Sequence, residues 1–236
     1  MSPAALAAAF GLYVAGVAAL LVGLAFARLP VRQAAWVPLL LASWVACAGV
    51  LSATGVLRSP SRPPGIALLV VPVLVSMLAT AGFGALGRAL ALRVPLAWLV
   101  GLQVFRVGVE GVLHGLWQAG WVPHAMTLGG GNVEVLFAAS APVLAWAVAS
   151  GRVGARFVRT WTALGLLSLI NVVVRAVGSA PGPTHFLATE VPNIAMAQFP
   201  FVLIPAVMVP LALALHLVTW RATASSPRSA QQPMTT

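Results

Sequence analysis

The chain has 236 residues, of which 61% are hydrophobic and 7% are charged, and its mean hydropathy is +1.01. This composition excludes an ordinary soluble globular domain and predicts a polytopic all-α membrane protein. The formal charge of +10 comes from arginines that lie mostly between apolar segments, where the positive-inside rule accounts for them, so we expect no nucleic-acid partner.

Seven transmembrane helices are predicted in chain order. Their approximate bounds are 5–27, 34–57, 66–87, 96–119, 133–150, 158–178 and 198–220. Turn and charge residues separate them, for example Arg58-Ser59-Pro60 and Gly129-Gly130-Gly131. We therefore expect a single helical transmembrane domain over residues 1–220. A disordered cytoplasmic tail, rich in Ser, Thr, Gln and Pro, is expected at 221–236.

The first segment has a secretory signal peptide as its alternative, because Ala25-Phe26-Ala27 resembles a cleavage site. A signal peptide carries positive charge before its apolar core, whereas here the charge follows the core at Arg28 and Arg32. A retained helix is therefore favoured. With the N-terminus outside, only Arg58 and Arg62 lie in an outside loop, which predicts an N-out/C-in orientation.

The basic residues are all arginine, and Ala, Val, Leu and Gly are abundant. This usage is typical of a GC-rich bacterial genome, so we expect a multi-pass protein of the bacterial cytoplasmic (inner) membrane. The lipid bilayer is then its first partner. The sequence leaves open a membrane-protein partner or a second copy of the chain.

The predicted fourth span carries polar residues near its middle. Gln103, Arg106, Glu110 and His114 fall within about 80° of one another on a helix. An Arg or Glu inside a span costs roughly 3 kcal/mol, so each needs a partner or a task. The four-residue spacing lets Arg106 and Glu110 meet on one face. Two interpretations stay open: an ion pair, internal or bridging to a neighbouring helix, and a charged lining for a ligand, ion or proton path.

The later segments add further polar positions. Asn171 and Arg175 share a face of the sixth span, where Arg175 either snorkels to the outer surface or joins a site. Asn132 is expected to cap the fifth span, with Glu134 in its first turn. His216 is expected at the inner surface in a structural role, away from the outer polar groups.

These positions predict an outward-facing polar cavity between the fourth to seventh spans. Its candidate ligand-binding residues are Gln103, Arg106, Glu110, His114, Asn132, Glu134, Asn171 and Arg175. The leading hypothesis is binding or translocation of a small solute, anion or proton. A membrane-embedded enzyme acting on a lipid or quinone-like substrate, and a non-catalytic subunit or scaffold, are the alternatives. No catalytic residue is identified. The spacing of Glu110 and His114 permits metal ligation but is unspecific, so we expect no metal and no other cofactor.

Several short motifs in the second half of the chain recur in a known group of sequences. They are Phe105-Arg106-Val107-Gly108-Val109-Glu110, Val122-Pro123 with Met126-Thr127, Gly130 with Asn132-Val133-Glu134, Leu169-Ile170-Asn171-Val172, Pro192-Asn193, and Phe199-Pro200-Phe201. In these motifs the chain resembles an uncharacterised family of bacterial polytopic membrane proteins, over roughly residues 100–220. Gly129 and Gly108 depart from the family's usual Glu and Pro. The resemblance implies membrane class and no activity.

Overall fold

The computed structural model describes residues 2–59, 64–182 and 185–224, which form helices joined by turns and loops. The helices are α1 (Pro3–Arg28), α2 (Val31–Ala53), α3 (Ala67–Phe83), α4 (Ala85–Arg93), α5 (Leu96–Gln118), α6 (Glu134–Ala149), α7 (Ala155–Gly178) and α8 (Ile204–Ala224). No strand occurs within these described ranges. The predicted all-helical class is confirmed.

Five helices, α1, α2, α5, α7 and α8, are long and apolar enough to cross a membrane. Helices α3 and α4 meet at a bend of 57° and make a sixth candidate if they are taken as one span. Helix α6 is apolar but has only 16 residues, about 24 Å of helix against a hydrocarbon core of about 30 Å. The described helices therefore supply five or six full spans, where the sequence predicts seven.

The bend between α3 and α4 is held by a residue of α8. The last turn of α3 is π-helical, and the break leaves main-chain carbonyls without helical partners. The Nη1 of Arg221 donates to the carbonyls of Ala81, Gly82 and Gly84 at 3.3, 2.8 and 3.0 Å. Helix α8 is described as far as Ala224. Residues 221–224 of the predicted tail are therefore helical, and its remainder, 225–236, lies outside the described residues.

Helix α8 lies at the centre of the bundle, in contact with α3, α4, α5 and α7. It begins at Ile204, six residues after the predicted start, and its first turn is π-helical over Ile204–Met208. Pro205 and Pro210 remove main-chain donors from this stretch, which accounts for the irregular turn.

The connection 119–133 and the described residues 179–182 and 185–203 of the next connection lie at one end of the bundle, here called the loop end. They are bonded to each other by the main-chain N–H of Ile194, which donates to the carbonyl of Trp121 at 3.1 Å. The carboxylate of Glu190 also accepts from the main-chain N–H of His124. The two loops therefore form one unit that covers the ends of α5, α6, α7 and α8.

Candidate functional site

The site begins with a buried ion pair between the consecutive helices α5 and α6. Arg106 follows a 3₁₀ turn in α5, and its Nη1 donates to Oε1 of Glu134, the first residue of α6. Arg106 is 4% exposed and Glu134 is 8% exposed. The expected contact between Arg106 and Glu110 on the same helix is not formed. Because α6 is short, its first residue lies level with the middle of α5, where Arg106 reaches it.

Glu110 bonds instead to the loop that precedes α6. Its carboxylate accepts from the main-chain N–H of Leu128 at 2.6 Å and from Nδ2 of Asn132 at 3.3 Å. Asn132 is itself buried, and its Oδ1 accepts from the N–H of Glu134 at 3.2 Å. The N-cap of α6 is Val133 and not Asn132 as predicted, but the Asn132 side chain bonds the first N–H of the helix and joins the Glu110 carboxylate to the ion pair.

Arg175 and Asn171 clamp the same loop from α7. The Nη1 of Arg175 donates to the carbonyls of Ala125 and Gly130 at 3.1 and 2.7 Å, and its Nε donates to Oδ1 of Asn171 at 3.0 Å. Asn171 in turn donates to the carbonyl of Gly131 at 3.0 Å. Through these hydrogen bonds the Arg175 guanidinium holds the loop, so the side chain does not extend to the surface.

A cavity of about 550 Å³ opens beside this network. It is bounded by α3 and the residues before it (57–59 and 64–66), by α5, α7, α8 and the start of α6, and by the two loops, and most of its lining side chains are aliphatic. At one end it meets the polar groups of Arg106, Glu110, Asn132 and Glu134. The cavity is therefore apolar with one charged end, and it is less polar than the sequence predicts.

The cavity reaches the lateral surface of the bundle between α3 and α7. Val71 of α3 and Val177 of α7 both line it, and they are 54% and 44% exposed. Both residues lie on helices that count toward the candidate spans.

The other candidate residues lie outside the cavity lining. His114 is exposed on α5, where its ring contacts Trp117 and Nε2 lies 3.2 Å from Nε2 of Gln118. Gln103 is fully buried, and neither polar atom of its amide has a hydrogen-bond partner among the described residues. The four polar residues predicted on one face of α5 therefore have different surroundings: Arg106 and Glu110 line the cavity, whereas Gln103 and His114 do not.

His216 joins the ion pair, contrary to its predicted place at the inner surface. It is fully buried, and its Nε2 lies 3.3 Å from Nη1 of Arg106. The prediction is wrong because α8 runs on to Ala224, which places His216 well inside the helix at the level of Arg106. Thr219 and Thr223, three and seven residues further on the same face, are the sequence signal for a buried position.

The cavity lining carries as many basic as acidic side chains. They are the guanidiniums of Arg106 and of the exposed Arg58 and the carboxyls of Glu110 and Glu134. Glu134 pairs with Arg106, whereas the partners of Glu110 are an amide and a main-chain N–H. Among the described residues, no three His, Cys, Asp or Glu side chains lie close enough together to hold a metal ion.

Comparison with known proteins places the chain in a family without an assigned activity. No curated protein and no solved structure matches the chain. A family model described as "Domain of unknown function (DUF8737)" matches residues 63–222. This stretch contains helices α3 to α7, all of α8 except its last two residues, and the residues of the polar network around Arg106, Glu134 and Arg175. The match covers more than half of the sequence, and the chain therefore belongs to the DUF8737 family.

Proposed function

We propose that the protein is an integral membrane protein that binds an amphipathic, lipid-like molecule. The observation that carries this proposal is the cavity itself, with aliphatic walls and one charged end. Its volume of about 550 Å³ falls within the range of about 300–1,000 Å³ that is usual for small-molecule sites. The hydrocarbon part of the ligand would lie between α3, α7 and α8, and its head group would meet Glu110 and Asn132.

A membrane location is supported by the apolar helices and by the charge distribution. We infer a bacterial cytoplasmic membrane, with the N-terminus outside and the C-terminus inside. In this orientation Arg58 is, among the described residues, the arginine that lies in an outside loop, and most other arginines lie inside, in agreement with the positive-inside rule. The loop end, and with it the head-group end of the cavity, would then face the outer side of the membrane.

Access from the bilayer suits a ligand of this class. The opening between α3 and α7 is lined by Val71 and Val177, and aliphatic side chains at this position are compatible with lipid tails. A lipid-like molecule could enter sideways without passing through water. A hydrophilic solute would have to desolvate to enter the same space, at a cost of several kcal/mol for each unpaired polar group.

The charged end favours a head group that donates hydrogen bonds. Arg106 is neutralised by Glu134, and the donors of Arg175 are taken by loop carbonyls. Glu110, beside Asn132, is left as an acceptor with neutral donors only, whereas Arg58 lines the cavity from the segment before α3 and is exposed. We therefore infer that the head group binds at Glu110 and is uncharged or cationic, such as a hydroxyl or an amine. This proposal disfavours an anionic ligand, which the sequence alone allowed.

The test compares three probes with the same hydrocarbon chain: dodecanol, dodecylamine and dodecanoate. The protein is reconstituted in phosphatidylcholine nanodiscs, and thermal unfolding is followed by tryptophan fluorescence. Because a ligand that binds only the folded state raises the melting temperature, dodecanol or dodecylamine should raise it and dodecanoate should not. Equal shifts with all three probes, or none with any, would overturn the proposal.

A pair of variants on α7 provides the control. Ala176 lines the cavity, so Ala176→Phe fills it, whereas Val174 is exposed on another face of the same helix. Ala176→Phe should abolish the shift caused by dodecylamine, and Val174→Phe should leave it unchanged. If both variants respond like the wild type, the probes bind elsewhere.

A further inference from the structure

Helices α7 and α8 run antiparallel, and two contacts fix their register. At the end remote from the loops, Arg159 donates through Nε to Oγ1 of Thr223 at 3.2 Å and through Nη2 to the carbonyl of Thr223 at 2.9 Å. Gly165 lies six residues after Arg159 on α7, and the imidazole of His216 packs directly against it. Any side chain at Gly165 would collide with the ring, so the close approach requires glycine there.

This register places Thr162 opposite Thr219, midway between the two contacts. Thr162 lies three positions from both Arg159 and Gly165, and Thr219 lies three positions from His216 and four from Thr223, so all share the helix–helix interface. Both threonines are fully buried, and neither Oγ1 has a hydrogen-bond partner within the described part of the chain. Polar groups therefore follow one another along α7 and α8 at steps of about 4.5–6 Å, three or four residues of helical rise.

The same line of polar groups continues to the ion pair. Because an arginine only donates, Nε2 of His216 must accept from Arg106, and the ring proton is then on Nδ1. That Nδ1 has no partner among the described residues, and the same holds for Nε and Nη2 of Arg106 and for Oε2 of Glu134. The line thus runs from Glu134 through Arg106 and His216 to the threonines and Arg159.

Unpaired polar groups at this density are not explained by helix packing alone. Polar side chains that hold membrane helices together do so by hydrogen bonding across the interface. Thr162 and Thr219 are buried without such a bond, and leaving a hydroxyl unpaired costs about 1–3 kcal/mol. Buried waters that make about three hydrogen bonds each satisfy groups of this kind, and one water bridges a step of about 4.5 Å.

We propose that this line, from Glu134 to Arg159, is a hydrated path that conducts protons between the charged end of the cavity and the opposite end of the bundle. At His216 a proton that arrives through water on the Glu134 side binds Nε2, where the hydrogen bond from Arg106 opens, and the Nδ1 proton passes to water beside Thr219, so one proton enters and one leaves. The neutral ring then carries its proton on Nε2, and reorientation of the ring returns a protonated nitrogen to the Thr219 side before the next proton. The charged or titratable groups facing the path are Arg106 and Glu134 at one end and Arg159 at the other. No ligand is required.

The test is proton flux through the full chain in sealed liposomes. The liposomes contain potassium and the pH indicator pyranine, and valinomycin with a potassium gradient sets an inside-negative potential. The wild-type protein should acidify the interior faster than protein-free liposomes do. The double variant Thr162→Val/Thr219→Val keeps the side-chain shape and removes both hydroxyls, so it should lower the rate at least about tenfold toward the protein-free rate.

Two further variants keep the result interpretable. Thr160→Val changes an exposed threonine on α7 and should conduct like the wild type. Thr219→Ser keeps the hydroxyl and should retain most of the flux. Wild-type flux equal to that of protein-free liposomes overturns the proposal, and so does full flux in a folded double valine variant. Neither result bears on the cavity ligand, because the nanodisc experiment measures binding without a proton gradient.

Discussion

The guanidinium of Arg106 donates to the carboxylate of Glu134 in an ion pair that is almost completely buried. Glu134 is the first residue of α6, so the pair joins the middle of α5 to the beginning of α6. It is also the point where the cavity and the line of polar groups along α7 and α8 meet. A change in the charge of this pair should therefore affect both the cavity and the helix–helix interface of α7 and α8.

The first prediction concerns the loss of one partner. Arg106→Met leaves Glu134 buried without its counter-charge, and Glu134→Gln does the same to Arg106. Each single variant should lower the free energy of unfolding by about 3–5 kcal/mol, because an uncompensated charge in a buried site is costly. The double variant Arg106→Met/Glu134→Gln should recover part of that loss. Unfolding titrations of the four proteins in the same detergent measure this cycle. Additive losses would show that the two side chains do not interact.

The second prediction concerns the loop that Arg175 holds. Gly131 and Gly120 both have positive φ, +97° and +73°, so alanine is strained at either position by about 1–2 kcal/mol. A Cβ at Gly131 would also lie 2.6 Å from Nη2 of Arg175, whereas a Cβ at Gly120 would meet nothing within 4 Å. Gly131→Ala should therefore destabilise more, by a further 1.5–3 kcal/mol or so, as Arg175 loses its bond to Gly130.

Hydrogen exchange distinguishes this effect from general unfolding. In Gly131→Ala the amides of residues 125–131 should exchange faster, while those in the middle of α1 keep the wild-type rate. Gly120→Ala should leave the exchange of residues 125–131 close to wild type. Identical exchange and stability in the two variants would contradict the role assigned to Arg175.

Periodicity and hydropathy predict the helical class because both depend on neighbouring residues only. The angular position of a residue on its helix also selects Arg106 and Glu110 as polar groups in an apolar span. It does not reveal the partner of Arg106, because that depends on the depth at which α6 begins. The length of α6, 16 residues, becomes informative only once the neighbouring helices are in place.

His216 shows the same limit more sharply. Its burial depends on how α8 packs against α5 and α7, and α8 is also held by Arg221, which donates to carbonyls 137–140 residues earlier in the chain. A non-local contact of this kind has no local sequence pattern. The cavity is likewise a property of how α3, α7 and α8 pack, and its aliphatic lining is not distinguishable in the sequence from ordinary core.

The third prediction concerns the packing of His216. Gly165 and Gly111 are both helix-interior glycines, but only Gly165 faces a side chain at close range, the His216 ring. Gly165→Ala should destabilise by about 1–3 kcal/mol through overpacking. Gly111→Ala meets nothing within 4 Å and should stabilise by about 0.5–1 kcal/mol, because alanine loses less backbone freedom on folding. Thermal unfolding in nanodiscs measures both. A stabilising effect of Gly165→Ala would place His216 elsewhere.

The fourth prediction is a pH dependence at the loop end. The main-chain N–H of His124 donates to Glu190, which holds the pKa of this exposed carboxyl below its usual value of 4.5. A carboxyl whose pKa is lower in the folded state stabilises the fold above the unfolded pKa. That contribution is lost as the pH falls through the lower, folded value. Glu190→Gln keeps an acceptor oxygen but cannot titrate, so it should lack this contribution at every pH.

The measurement is the difference in melting temperature between the wild type and Glu190→Gln, taken from pH 6 down to pH 3. The wild type should be the more stable protein at pH 6, and the difference should shrink steadily below about pH 4.5. Glu110 and Glu134 are present in both proteins, so their own titration cancels in the difference. A difference that stays constant across this range would mean that Glu190 has the same pKa in the folded and unfolded chain. The bond to His124 would then contribute nothing to joining the two loops.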